Sequence, residues 1–444
     1  MFIIYDLIFL IVVIIYFPVY LFRRKFHRGF ISRLGILPKD LKLGRPIWIH
    51  AVSVGEVMAV RGLIGELTKN YPDNKIVIST VTSTGNKIAK GSARECDFVT
   101  YLPLDFSFIV RMVVGKIRPA LFIIAETEIW PNLISCLYSK NIPIAVVNGR
   151  ISDSSFRGYL MIKFLLKPIL NRISLFCMQT ERDAQRLIRL GVSGNKINVT
   201  GNMKFDARDY TDERIADYTD ERMELGLKDK EKLLVAGSTH PGEEEIVLGV
   251  YKKLLAEFTY LRLLIAPRDP ERAKEVEGIV IKYGFLVQRV SRLAGERVSG
   301  FAGLPVSRLN RHTGTPAHRQ TVFILDTVGH LVDYYAVSDL VFVGGSLIRK
   351  GGHNILEPAS LGKPILFGPH MFNFRDIAEL FLENQAAQSV RNRDELAQKL
   401  RDLLNDSSKA LQFSRRAKGL IRENQGATQK NLGLIKNLYA KISL

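Results

Sequence analysis

Apolar positions along this chain fall into two alternating rhythms. Between Pro46 and about Val199, the runs Ile47–Val52, Lys75–Ser79, Leu121–Ala125, Ile144–Asn148 and Leu175–Gln179 are short and rich in β-branched residues. Runs of that length and composition read as buried strands. Between them Val57–Asn70, Ile109–Ile117 and Phe156–Leu170 place their apolar residues at helical spacing. Strands alternating with helices imply a parallel, doubly wound sheet. The same rhythm restarts with Leu233–Ala236, Arg262–Ala266, Val322–Leu325, Leu340–Val343 and Pro364–Phe367. The expected class is therefore α/β with two Rossmann-like domains, spanning 26–208 and 209–444. A charged duplication, DYTDERIA then DYTDERME at Asp209–Glu224, opens the second and reads as a solvated helical linker. The basic, glycine-containing stretch Ser291–Gln320 shows no period and reads as a surface loop. The helices expected from Asp394 onward carry no motif.

The first segment follows a different pattern. Met1 to Phe22 is apolar apart from Asp6, and Arg23, Arg24, Lys25, His27 and Arg28 come directly after it. A secretory signal would place positive charge before the apolar run and a small-residue cleavage site after it, and neither is present. Residues 1–25 are thus expected to form a membrane anchor with one span, the rest of the chain lying on the cytoplasmic, positive side. A helix lying in the membrane surface is the alternative, to which Pro18 gives weight.

Composition narrows the partners. The chain has 444 residues, 47% of them hydrophobic, as in a folded protein of more than one domain. Sixty-three Lys and Arg stand against 44 Asp and Glu, a net charge of +19. Such a field attracts anionic lipid headgroups, phosphorylated substrates or nucleic acid. Nucleic acid is the weakest choice, because no arginine-rich arm or recognisable binding module accompanies the charge. Cys96, Cys136 and Cys177 are far apart in apolar segments and read as reduced thiols, with no metal cluster.

Ligands of doubly wound sheets bind at the carboxyl ends of the strands, so the loops there hold the candidate chemistry. HAVSVGE takes a strand into Gly55 and Glu56, where a helix begins; a carboxylate there is a candidate general base, or simply a cap. Thr82–Gly85 resembles a second helix start. Glu126 and Glu128 follow a buried strand beside Trp130 and Pro131. Their desolvation would raise their pKa values, or one of them would pair with Arg150. The stretch from Asp339 to His370 is the densest: a strand, Gly344–Gly345, then Gly351–Gly352 before His353, Asn354 and Glu357, then a strand ending in Gly368–Pro369–His370. Glycines there would let backbone N–H groups approach a phosphate, and Asn354 and Glu357, one helical turn apart, would hold a ribose. Gly237–His240, Pro267–Arg268 and Asp326–His330 end the other strands of this half.

HAVSVGE, TVTSTG, AETEIWPN, NGRIS with Ser155, GNMKFD, GSTHPGEEE, APRDPER, DTVGHL, GGS, KGGHNILEPA and GPHMFNF occur in this order between the N-terminus and about Asp376. Together they resemble the 3-deoxy-D-manno-octulosonic acid (Kdo) transferases, which attach Kdo from CMP-Kdo to the lipid A precursor. The resemblance implies a GT-B glycosyltransferase of the bacterial inner membrane, its two domains facing a cleft, inverting, and needing no metal or other cofactor. It implies Glu56 as catalytic base and an acid of AETEIWPN, Glu128 rather than Glu126, on the acceptor side. It implies a CMP site of Pro267, Arg268, Val328, Gly329, Asn354 and Glu357. Two positions beside these contacts depart from the family pattern: Asp269 where His is usual, and His330 where Glu is usual. Another GT-B enzyme, such as a nucleotide-sugar epimerase, would share the GGHN loop but not require HAVSVGE and AETEIWPN together.

Overall fold

The structure, a computed structural model, describes residues 2–22, 30–94, 97–206, 219–290 and 320–443. The chain divides into two compact units: Met1–Arg208 with Asn424–Leu444, and Asp209–Glu423.

In the first unit β1 (Ile47–His50), β2 (Ile76–Thr80), β3 (Phe98–Tyr101), β4 (Leu121–Ala125), β5 (Ile144–Gly149), β6 (Leu175–Met178) and β7 (Ile197–Val199) form one sheet. Its order is β3-β2-β1-β4-β5-β6-β7, and all pairs are parallel. Helices on both faces explain why the central strands are continuously apolar rather than alternating. Successive side chains of a strand point to opposite faces. Trp48, Phe122, Ile124 and Phe176 thus join one core, while Ile47, Ile49, Leu121 and Ile123 join the other. The indole of Trp48, fully buried, donates to Ser79 Oγ at 2.8 Å, so its polar end is satisfied.

The second unit repeats the plan with β8 (Lys232–Thr239), β9 (Leu261–Pro267), β10 (Leu286–Val290), β11 (Thr321–Leu325), β12 (Leu340–Val343), β13 (Ile365–Phe367) and β14 (Gln388–Ser389). Its parallel order is β10-β11-β9-β8-β12-β13-β14.

Three expectations are corrected here. The helix expected over Phe156–Leu170 is two, Asp153–Met161 and Lys163–Leu170, broken at Ile162 with φ −111°. Residues 424–444, expected with the second domain, pack with the first. The helix Ala427–Ser443 supplies Ala427, Leu432 and Ile435 to the core behind β1 and β4. Asp206 fixes its start by accepting from Gly426 N at 2.8 Å and Thr428 N at 2.6 Å.

Among the described residues no helix is long and apolar enough to cross a membrane, so the single span is not supported. The N-terminal helix Phe2–Phe22 is instead held to its own unit. Asp6 accepts from Ser107 N at 3.1 Å, Ser107 Oγ at 2.6 Å and Asn132 Nδ2 at 2.7 Å. Phe9 meets Phe106 edge to face. With Asp6 committed to the protein, the uncharged run left is Leu7–Phe22, 16 residues. A span needs about 20. The basic residues Arg23, Arg24, Lys25, His27 and Arg28, Cys96, the repeat up to Asp217–Tyr218 and the insertion up to Arg319 lie outside the described residues.

Candidate active site

In each sheet the first strand of the unit, β1 or β8, has its successor on one side and a later strand, β4 or β12, on the other. Loops leaving such a pair diverge and open a crevice at the strand ends, where ligands of this architecture bind.

At the β1/β4 crevice the helix Val54–Asn70 begins three residues earlier than its apolar spacing suggested, so Glu56 lies within its first turn. Its carboxylate accepts from Val52 N at 2.6 Å and from Ser53 Oγ at 2.9 Å. This is the capping geometry, and the same bonds fix the side chain at the crevice. Burial above all, with the negative charges of Glu126 and Glu128 added, pushes the Glu56 carboxyl up to about 7 against the Val52 N–H bond. A carboxylate poised near neutrality is what general-base catalysis requires. The next helix packs closely on this turn: a Cβ on Gly85 would stand 3.2 Å from the Ser53 carbonyl carbon. Thr82 caps that helix by accepting from Gly85 N.

Glu126 follows β4 in the left-handed region, φ +57°. Its partner is Lys204 of GNMKFD, at 3.2 Å. The loop of Arg150 is joined to this one by a backbone bond, Arg150 N donating to Thr127 Oγ1 at 3.0 Å. Glu128 is half-buried, its carboxyl raised by burial and by Glu126. The far end of the AETEIWPN loop is pinned by Asp105, which accepts from Asn132 N at 3.0 Å and Leu133 N at 2.9 Å. Asn132 also bonds Asp6, so the N-terminal helix and the acidic loop share a residue. The sequence pattern gave no signal for this, because Asp6 and Asp105 are each isolated acids.

The β8/β12 crevice corrects two expectations. At the Gly344–Gly345 turn the N–H of Gly344 is bonded to Gly237 O and that of Gly345 to Glu243, so neither is open to a phosphate. Glu243, fully buried, accepts from Gly345 N at 2.6 Å, Ser346 N at 3.0 Å, Leu347 N at 2.9 Å and His240 N at 3.1 Å. The glycines instead allow close packing: a Cβ on Gly344 would lie 2.5 Å from Ser238 O. Asn354 also differs from expectation. The helix runs only Leu356–Ser360, so Asn354 precedes it, its Oδ1 accepting from Leu356 N at 3.1 Å, while Glu357 is in its first turn.

Around this crevice Pro267 is buried at the end of β9, and Arg268 stands exposed beyond it, its N–H bonded to Thr239 O. Val328 and Gly329 follow β11; Val328 is 82% exposed and Gly329 has φ +96° with open space around it. The sheet thus brings Arg268, Gly329, Asn354 and Glu357 to the ends of the neighbouring strands β11, β9, β8 and β12. His330, one of the two departures, bonds Asp333 Oδ2 at 3.1 Å within its own helix start. The pattern placed His240 at a strand end and His353 at a helix opening, with no link between them, yet their rings meet with Nε2 atoms 2.8 Å apart.

Each unit is thus a parallel, doubly wound α/β sheet with its candidate residues at the strand ends. A solved UDP-N-acetylglucosamine 2-epimerase has this fold, with a TM-score of 0.56 at 12% identity over 90% of this chain and 97% of its own. The family model of the 3-deoxy-D-manno-octulosonic-acid transferases (kdotransferases) matches residues 28–207. The 3-deoxy-D-manno-octulosonic acid transferase of Haemophilus influenzae is 35% identical over 88% of this chain and 86% of its own. That of Rickettsia felis is 32% identical over 90% and 81%. The chain belongs to the 3-deoxy-D-manno-octulosonic acid transferase family and is a glycosyltransferase.

Proposed function

We propose that this enzyme transfers Kdo from CMP-Kdo to the lipid A precursor, with inversion at the anomeric carbon, at the bacterial inner membrane. The observation that carries the reading is Glu56, held by two hydrogen bonds at the β1/β4 crevice with its carboxyl near neutrality. In this mechanism Glu56 removes the proton of a primary hydroxyl on the acceptor's glucosamine disaccharide. The freed oxygen attacks the anomeric carbon of Kdo on the face opposite the departing CMP, which inverts the centre. Glu128 orients the acceptor. On the donor side Arg268 meets the charge that develops on the CMP phosphate. Glu357 and Asn354 hold the ribose, and the backbone of Val328 and Gly329 lines the nucleotide. The direct test is the product mass after incubation with CMP-Kdo and tetraacylated lipid A precursor. A gain of one or more Kdo units supports the reading, and an unchanged acceptor overturns it.

The donor site has its own test. Glu357→Ala removes a charged acceptor from the ribose, a bond worth roughly 1.5–3 kcal/mol, so CMP affinity should fall about 10- to 100-fold. Unchanged affinity by calorimetry would remove Glu357 from the site.

Membrane contact is proposed through the N-terminal helix, whose Leu7, Ile8, Ile11, Ile14 and Ile15 are exposed. Without Met1–Phe22, vesicle binding should rest on the basic surface, about 1 kcal/mol for each Lys or Arg near the lipid, and should be lost at high salt. The full chain should stay bound in co-sedimentation. Transfer to detergent-dispersed acceptor should fall several-fold as well, because Asn132 loses its Asp6 partner. Salt-independent binding of the truncated form would reveal a second apolar membrane surface.

A further inference from the structure

His240 and His353 come from different loops of the β8/β12 crevice, after β8 and after the second glycine pair, yet their rings stack at an interplanar angle of 6°. Gly345, at φ +66°, lets this happen: a Cβ there would stand 3.0 Å from the His353 ring and 3.4 Å from that of His240. An Nε2-to-Nε2 separation of 2.8 Å requires one proton between the two nitrogens. One ring donates and the other accepts; two neutral rings then carry a single remaining N–H, on the Nδ1 of the acceptor ring. Adding one proton to the bare Nδ1 keeps the bridge and leaves both rings with an Nδ1–H donor. Adding a second removes the bridging lone pair and breaks the contact.

The surroundings favour the neutral pair while the crevice holds no anion. Burial lowers the His353 pKa to about 4, with the positive charge of Arg268 and the neighbouring His240 acting the same way. His240 is lowered by burial and by Lys350, Arg272 and Arg268, and Asp269 opposes them. The other acids nearby are engaged. Glu243 accepts from the backbone, and Glu244 pairs with Arg272 at 2.8 Å. A bound phosphate would offset the same cations that now disfavour a charged ring.

We propose that the His240–His353 pair takes up one proton from solvent when the anionic nucleotide binds, and that the charged pair is the form that holds it. The proposal rests on the donor site described above. It makes this crevice proton-coupled, with tighter donor binding on the acid side of neutrality.

The test is calorimetry of CMP binding to the full-length enzyme at pH 6, 7 and 8, in buffers of low and high ionisation enthalpy. CMP itself changes protonation near pH 6, so the readout is the difference between the parent and the variants His240→Gln and His353→Gln. Glutamine keeps a hydrogen-bonding nitrogen or oxygen at the end of the side chain, and thermal unfolding would verify that each variant is folded. The parent should bind CMP up to roughly tenfold more tightly at pH 6 than at pH 8, relative to either variant. Its apparent enthalpy should also carry a buffer-dependent part that the variants lack. Identical pH slopes and proton counts in the parent and both folded variants would overturn the proposal while leaving the donor site in place. No CMP binding by the parent at any pH would overturn the donor site and the pair together.

Discussion

A Glu56→Gln enzyme is expected to fold and to bind CMP as the parent does, while transfer falls by about two to four orders of magnitude. Glutamine can keep a bond to Val52 N but cannot accept the acceptor's proton. Competence requires the ionised carboxylate, and burial with Glu126 and Glu128 holds its pKa at about 7. The parent's rate should therefore rise with pH through neutrality and level off above it, and the variant's residual rate should lack that limb. Stability separates chemistry from damage. Because the folded pKa lies above the usual carboxylate value, ionising Glu56 costs stability, a cost that grows as pH rises from about 4.5 through about 7. Removing the charge removes the cost, so at pH 8 the variant should unfold no earlier than the parent. Near-normal turnover in a folded Glu56→Gln protein would take Glu56 out of the mechanism.

Glu243→Ala should produce the largest loss of stability. Four backbone N–H groups, from His240, Gly345, Ser346 and Leu347, would lose their acceptor in a place water does not reach. Each unsatisfied buried donor costs about 1–3 kcal/mol, and partial relaxation leaves a total on the order of 4 kcal/mol or more. The second unit should melt first, with the amides of residues 345–347 losing protection in hydrogen exchange ahead of the first unit. Glu243→Gln, which retains one oxygen, should fall between the two. A Glu243→Ala protein melting within about 2 °C of the parent would show that the turn finds other partners.

The contrast between these two glutamates shows what the sequence made legible. Glu56 follows a strand and a glycine at a helix start, so its place could be read from local pattern. Glu243 occupies the corresponding place in GSTHPGEEE, but three consecutive glutamates at a helix start look like solvated capping charges. Only the returning Gly344–Ser346 turn, about a hundred residues later, makes one of them a buried acceptor. The strands follow the same logic. All ten central strands left an apolar run to read. β3, β7, β10 and β14, which gave no such signal, are the four edges of the two sheets. Edge strands are covered on fewer sides, so Phe98–Tyr101 and Leu286–Val290 mix polar and apolar residues. The Ala427–Ser443 helix escaped for a related reason, because nothing in a mildly amphipathic segment says which core it will join.

That helix also sets an order of events during synthesis. The second unit is inserted in the first: the chain leaves the first at Arg208 and returns to it at Asn424. Domains emerging from a ribosome ordinarily complete themselves from the N-terminal one onward. Here the unit that starts first closes last, because the core behind β1 and β4 lacks Leu432 and Ile435 until residues 427–443 have been made. Throughout that interval the helix Val54–Asn70, which shares this core, lacks the neighbour that finally packs on it, while the second unit already has its whole sequence in hand. The nascent enzyme thus has the sequence of its proposed donor side complete before the unit carrying the proposed catalytic base can close.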